Sequence, residues 1–267
     1  MGKVIACVNE KGGVSKTTTV KNLSAGLVSK GYSVLAIDTD PSGNLTKSCI
    51  VLDENDPGSI CGIMSASMAV DEFEEDYGIR HHDEGFDIVT SSGALHSFEN
   101  KLNEAPMREM VLGRYVDEVR DKYDYILIDS PAGLGIFVNN ALFCADEVLI
   151  PTQAKILDVE AMQNLYQRIS LVRKHKNNTK PVISGVLFTQ VRPNTINDRN
   201  IMDRIVMQQG DRVHFFKTFI PLASKIPESD IARKSIFKYA SNSIAALHYS
   251  DFIEEFLAYE AEMDKEA

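Results

Sequence analysis

The chain has 267 residues, 44% of them hydrophobic and 25% charged, which is the balance of a globular protein with ample material for a buried core. No apolar run reaches the roughly 20 residues that cross a bilayer, and four scattered cysteines without a C-x-x-C pair exclude a disulfide scaffold and read as reduced core thiols of a cytosolic protein. The net charge of -10 is unevenly spread, and that becomes informative toward the C-terminus.

In chain order, the apolar run 4–8 reads as a buried strand, so the first residues are not expected to form a signal peptide; Ala6 also breaks a myristoylation signal after Gly2. It leads into Asn9-Glu10-Lys11-Gly12-Gly13-Val14-Ser15-Lys16-Thr17-Thr18, and then into a helical pattern with Val20, Leu23 and Leu27 on one face. Strand, glycine loop and helix form the context of a phosphate-binding loop. The glycines let backbone N–H groups turn toward one point, and the helix N-terminus adds positive potential. Lys16 is placed to reach outer phosphates, and the Thr17 hydroxyl to hold Mg²⁺. The general pattern G-x-x-x-x-G-K-[ST] is incomplete, with Glu10 and Ser15 at its two glycine positions. Taken by itself, the run also fits a polar loop capping a helix through Ser15.

Lys30-Gly31 stops the helix. Residues 33–37 read as a second buried strand ending in Asp38-Thr39-Asp40-Pro41-Ser42-Gly43-Asn44. Carboxylates at the C-terminal end of a parallel strand face the ligand crevice of an open α/β sheet, although these are also turn residues. Residues 50–85 carry little pattern: a short helix from Ser59, an acidic run from Asp71 to Asp76 on a solvated face, and His81-His82 as surface residues. A strand over 86–90 and a helix over 94–119, broken near Pro106, lead to Tyr125-Ile126-Leu127-Ile128-Asp129-Ser130-Pro131-Ala132-Gly133. An apolar strand ending in Asp is what a Walker B motif requires, so Asp129 is a candidate Mg²⁺ ligand, directly or through water.

Further on, a short helix over 138–144, a strand over 146–151 with Thr152-Gln153 opening its loop, a helix over 156–174, strands over 182–189 and 215–220, and helices near 195–209, 223–234 and 241–260 complete the chain. Alternating strands and helices predict an α/β fold: one domain over residues 1–267, with a mostly parallel central sheet covered by helices on both faces. Residues 166–238 carry 14 Lys and Arg against 5 Asp and Glu, whereas residues 1–165 carry 13 against 26. A basic segment in an acidic chain reads either as a solvated basic surface or as a face for a polyanion, with sequence-independent duplex DNA as the expected ligand of the second reading. Arg192, Arg199, Lys217, Lys225, Arg233 and Lys234 are its candidate contacts. The last helix has no Lys or Arg from Ser243 to Met263, and its stripe of Ile244, Leu247, Ile253, Phe256 and Leu257 is expected to pack on the core rather than on anionic lipid.

Lys11, Gly12, Gly13, Lys16, Thr17 and Thr18 make the loop resemble the deviant Walker A motif, K-G-G-x-G-K-[ST], of the ParA/Soj and MinD family of P-loop NTPases, from which it departs at Ser15. A Cβ there crowds a backbone that approaches phosphate, which predicts weaker or slower nucleotide use. The Asp38 to Asn44 run resembles the family's D-x-D-P-Q-G-N switch, and the resemblance places Asp38 near the Mg²⁺ shell and Asp40 on the attacking water. It further implies ATP and Mg²⁺ as cofactors, slow partner-stimulated hydrolysis, and Lys11 reaching the nucleotide of a second subunit in an ATP-dependent homodimer. Backbone and side chains of Lys11 to Thr18, Val14 and Ser15 included, would hold the nucleotide, with Pro221 near adenine. Partition of a plasmid or chromosome with a ParB-like centromere-binding partner, in the cytoplasm on the nucleoid, is the implied function. The nitrogenase iron protein shares the loop type, but no cysteine follows Asp129 closely enough to hold a cluster. Two alternatives stay open: a MinD-like membrane-positioning ATPase, disfavoured by the acidic tail, and a nucleotide-dependent DNA-binding module with little hydrolysis.

Overall fold

The computed structural model describes residues 1–51, 56–70, 72–74, 76–155, 158–176, 178–193 and 195–266. The first strand, β1 (Lys3–Cys7), leads into α1 (Lys16–Ser29), and β2 (Val34–Asp38) into α2 (Asn44–Cys49). Then come α3 (Ile60–Ala69), the short strands β3 (Ile79–His81) and β4 (Asp87–Val89), α4 (Ala94–Glu104), α5 (Val111–Val119) and β5 (Tyr125–Asp129). The second half runs α6 (Ile136–Cys144), β6 (Glu147–Gln153), α7 (Asp158–Lys176), β7 (Val182–Val191), α8 (Ile196–Gln209), β8 (Phe215–Pro221), α9 (Lys225–Ile231), α10 (Ile236–Tyr239) and α11 (Ile244–Glu266).

Among the described residues the strands form one sheet in the order β3-β4-β2-β5-β1-β6-β7-β8. Every pairing is parallel except β3 with β4. Strand side chains alternate between faces, and the two faces bury different sets. Val4, Ala6, Leu35, Ile37, Ile126, Ile128, Val148 and Ile150 pack under α3 to α8. Ile5, Cys7, Val34, Ala36, Tyr125, Leu127 and Leu149 pack under α1, α2, α10 and α11. The mostly parallel α/β architecture covered on both faces is thus as expected, and so are the apolar strand runs, buried on both sides.

Several expectations change in detail. The helix over 94–119 does break at Pro106, and Asn140 fills the break: its Oδ1 accepts from Leu112 N at 3.0 Å and its Nδ2 donates to Arg108 O at 2.8 Å. Thr152 and Gln153 belong to β6 and pair with Phe188 and Thr189 of β7 rather than opening a loop. The helix expected over 156–174 is described over Asp158–Lys176; 156 and 157 lie outside the described residues, as do 71 and 75 of the acidic run. His81 is exposed and its Nδ1 lies at hydrogen-bond distance from Asp87 Oδ1, but His82 is buried and stacks on Phe86 at 4.3 Å between ring centroids. A two-histidine surface was the wrong reading because side chains alternate across the end of β3.

The stripe on α11 is also corrected. Ile244 and Leu247 are more than half exposed, and the buried face is Ala245, Ala246, Tyr249, Phe252, Ile253 and Phe256. That face packs closely on α1: a Cβ on Gly26 would stand 1.9 Å from Ile253 Cδ1, so a larger residue there would force the Ile253 side chain to move. On the other side of α11, Glu255 accepts from the backbone N of Lys217 and Thr218 at 2.6 and 2.9 Å, which covers the outer donors of edge strand β8. Among the described residues no helix is long and apolar enough to cross a membrane.

Candidate nucleotide site

The C-terminal ends of β1, β2 and β5 lie side by side, with Cys7 in register with Asp129 and Asp129 with Asp38. The loop between β1 and α1 rises over these ends and forms one wall of a cavity of about 650 Å³. Gly12 to Thr18, Asp40, Asn44, Lys47, Ser48, Ala132, Gln190, Asp230 and Ile231 line it. The structure therefore brings together the three motifs that the sequence separates by more than a hundred residues.

The loop is held by its own side chains. Asn9 Nδ2 donates to Pro151 O at 2.7 Å, and Asn9 Oδ1 accepts from Lys11 N at 2.9 Å. Lys16 is buried, and its Nζ donates to Asn9 O at 3.1 Å and Lys11 O at 3.0 Å across the mouth of the loop. Burial pulls the Lys16 pKa below that of a free lysine, against the attraction of Asp129 and Asp40. Lys11 is half-buried at the same rim. Ser15 occupies the N-cap position of α1 without a side-chain cap bond, in a left-handed conformation at φ 64° and ψ 30°. The chain places a serine where the loop needs a backbone that glycine adopts freely.

Asp129 is fully buried. Its Oδ2 accepts from Thr17 Oγ1 at 2.7 Å, and its Oδ1 has no hydrogen-bond partner. Burial, reinforced by neighbouring Asp38, pushes the Asp129 pKa well above the usual carboxylate range. A buried carboxylate with one orphaned oxygen and a threonine hydroxyl beside it is a donor set that fits a hard divalent cation. Asp38 faces the other way: Oδ2 accepts from Thr46 N at 2.9 Å and Thr46 Oγ1 at 2.7 Å, and Oδ1 from Asp40 N at 3.1 Å. Its carboxylate thus anchors α2 and the turn before it, and burial still raises its pKa to about 6. Asp40 lines the cavity, and its Oδ1 accepts from Ser42 N at 2.8 Å.

The segment after Asp129 is stitched to the loop from both sides. Gly133 N donates to Glu10 O at 2.7 Å, Ser130 Oγ to Cys7 O at 2.7 Å, and Thr39 Oγ1 to Asp129 O at 2.7 Å. Pro221 is buried at the end of β8, outside the cavity lining, where Leu222 N bonds Val191 O at 2.9 Å. Arg192, Lys225, Arg233 and Lys234 are exposed around the β7 and β8 ends and on the α9 side of the cavity; Arg199 is exposed on α8 and Lys217 on edge strand β8. Lys225 is paired with Glu228 at 2.7 Å. Asn44 closes the Asp38 to Asn44 run and lines the cavity. Sequence reading missed Lys47, Gln190 and Asp230, which carry no motif, although Lys47 was within reach because α2 follows directly on the Asp38 turn.

Residues 2–181 match the family described as an AAA domain. The chain is 33% identical over 268 residues to the sporulation initiation inhibitor protein Soj of Bacillus subtilis, covering 97% of this chain and 99% of that one. It is 30% identical to the chromosome-partitioning ATPase Soj of Treponema pallidum, covering 97% and 98%. Among solved structures it is similar to cobyrinic acid a,c-diamide synthase from Mycobacterium smegmatis with bound ADP and magnesium, with a TM-score of 0.81, 26% identity and coverage of 98% and 96%.

Proposed function

The chain belongs to the ParA/Soj family of P-loop ATPases, and from that premise we propose a Mg²⁺-dependent ATPase that dimerises on ATP, binds duplex DNA without sequence preference and drives plasmid or chromosome partition with a centromere-binding partner. The observation that carries the nucleotide part is the Thr17–Asp129 pair with its orphaned buried oxygen beneath a glycine loop. Thr17 and Asp129 would hold Mg²⁺, which when bound offsets phosphate charge and polarises the γ-phosphoryl group. The amides of residues 12–18 and the Lys16 ammonium would bind the phosphates. Asp40, on the cavity wall, positions the water, and Asp38 fixes the turn that carries Asp40 by bonding its backbone N. Lys11, at the rim, reaches the nucleotide of a second subunit.

The DNA part rests on the exposed basic residues beside the cavity and on the charge balance of residues 166–238. Nucleotide state and DNA affinity are then linked, because loss of the γ-phosphate removes contacts that favour one arrangement of the switch turns. Membrane attachment through α11 is the weaker reading, since its apolar face is buried on α1 and the sheet. The test is DNA binding by the purified chain with ATP, with ADP and without nucleotide, over a salt series. ATP-dependent, salt-sensitive binding to arbitrary duplex is expected. ATP binding without any DNA binding refutes the basic-face argument.

A further inference from the structure

The glycine loop is held from behind by the ends of β6 and β7. Gln190 Nε2 donates to Gly13 O at 2.6 Å and to Ser15 Oγ at 3.0 Å. Gln153 Nε2 donates to the same Gly13 O at 3.0 Å and to Gln190 Oε1 at 2.8 Å. Thr189 Oγ1 stands 3.0 Å from Val14 O and 3.1 Å from Thr152 O. Two consecutive loop carbonyls, of Gly13 and Val14, are thereby drawn toward the strands. In a planar trans peptide the N–H points opposite its C=O. The N–H groups of Val14 and Ser15 are thus turned away from the strands, toward the cavity that residues 12–18 line.

Gln190 is itself left-handed, at φ 54°, as is Ser15 at φ 64°. Two non-glycine residues in that conformation, joined side chain to side chain, are an uncommon local arrangement that surrounding bonds must over-determine. Gln190 also lines the cavity, so the contact lies at the site and not in remote scaffold.

We propose that the Gln153–Gln190 amide pair is a positioning element of the nucleotide site, which helps pin the loop with the Val14 and Ser15 N–H groups toward phosphate and, through Ser15 Oγ, holds by hydrogen bonding the turn that glycine would adopt by conformational freedom. Ser15 is then a partner matched to Gln190 rather than a defect in the loop. The inference rests on the reading of this cavity as an ATP site.

The test compares the full-length wild type with Gln190→Met, Gln190→Gly, Ser15→Gly and Ser15→Gly/Gln190→Met, by ATP binding with a fluorescent ATP analogue and by steady-state phosphate release with Mg²⁺. Met keeps the length of the side chain and loses both donors, while Gly keeps the left-handed turn without strain. Both are expected to raise Kd and KM about tenfold, the scale of one or two net hydrogen bonds, with kcat changing far less than KM, as for loss of a contact shared by ground and transition states. Thermal melting should stay within a few degrees of wild type, which separates positioning from fold damage. On the Ser15→Gly background the Met change should cost only about threefold, because one of its bonds is already gone. Wild-type affinity in both Gln190 variants, or an equal cost on both backgrounds, overturns the proposal. Failure of the wild-type chain to bind ATP overturns the reading of the site and this inference with it.

Discussion

Replacing Glu260 with glutamine should flatten the dependence of stability on pH. Glu260, on α11, is 3% exposed, and Glu147, at the start of β6, is 6% exposed. Lys3 of β1 ion-pairs with both, and with Asp264 at 3.2 Å. One oxygen of each buried carboxylate, Glu147 Oε2 and Glu260 Oε1, has no partner. A proton shared between them would satisfy both, and burial together with Glu147 pushes the Glu260 pKa to about 8 from an ordinary 4.5. Because the folded value lies above the unfolded one, this contribution is complete below about 4.5 and is lost as pH rises through about 8. At about 1.4 kcal/mol per unit, one proton caps the swing at roughly 4–5 kcal/mol. Coupling divides the shift between the two carboxyls, and about 2 kcal/mol is expected, or roughly 4–8 °C in Tm for a domain of this size. Glutamine supplies a permanent N–H to Glu147 and cannot ionise. Melting curves from about pH 5 to pH 9 should show the wild type losing Tm relative to Glu260→Gln. Parallel profiles would refute the shared proton.

Three further perturbations probe the site and its surroundings. Thr17→Ala removes the hydroxyl that bonds Asp129 Oδ2, and Mg²⁺-dependent phosphate release should fall about 100-fold, the several kcal/mol that such an ion supplies; undiminished turnover over a Mg²⁺ titration would remove Thr17 from the metal site. Asp230→Ala leaves the fully buried Lys21 ammonium without its ion-pair partner on α9, which should cost about 3 kcal/mol in denaturant unfolding, while Lys21→Met with Asp230→Ala should recover most of that loss. Arg233→Ala with Lys234→Ala should lower the slope of log Kd against log salt for duplex DNA by about 1.8 if both residues touch phosphates, and an unchanged slope would place the DNA face elsewhere.

The sheet was legible where strands are buried on both sides. Runs such as 34–38 and 125–129 are apolar throughout and end in Asp, so type, limits and ligand-facing end could all be read from them. Strand β3 was not: three residues at a sheet edge, running from buried Ile79 through half-buried Arg80 to exposed His81, carry no apolar run. Helix α11 shows a different limit. Ile244 and Leu247 fit a helical stripe with Ile253, Phe256 and Leu257, but the contact face is chosen by where a helix crosses its neighbour. Here that neighbour is α1, where Gly26 lies against Ile253 from more than two hundred residues away.

The same distinction runs through the site. Lys16, Thr17 and Asp129 could be named from sequence because each must sit at a strand end or on the first turn of α1 to do its work, and the chain pattern around such positions is constrained. Asp38 was named as well, yet its oxygens are bonded to Thr46 and to Asp40 N, a use that depends on α2 folding back over the strand end. Gln153 and Gln190 left no mark in the sequence at all. They reach the loop because β6 and β7 run two and three residues past Pro151 and Phe188 in parallel register, so that their amides arrive behind Gly13 together. Ser15 read from sequence is a missing glycine; read beside Gln190 it is one half of a hydrogen bond at 3.0 Å. A departure from a loop motif therefore has to be weighed against what stands behind the loop, and here that is supplied by strands whose sequence distance from it exceeds a hundred residues.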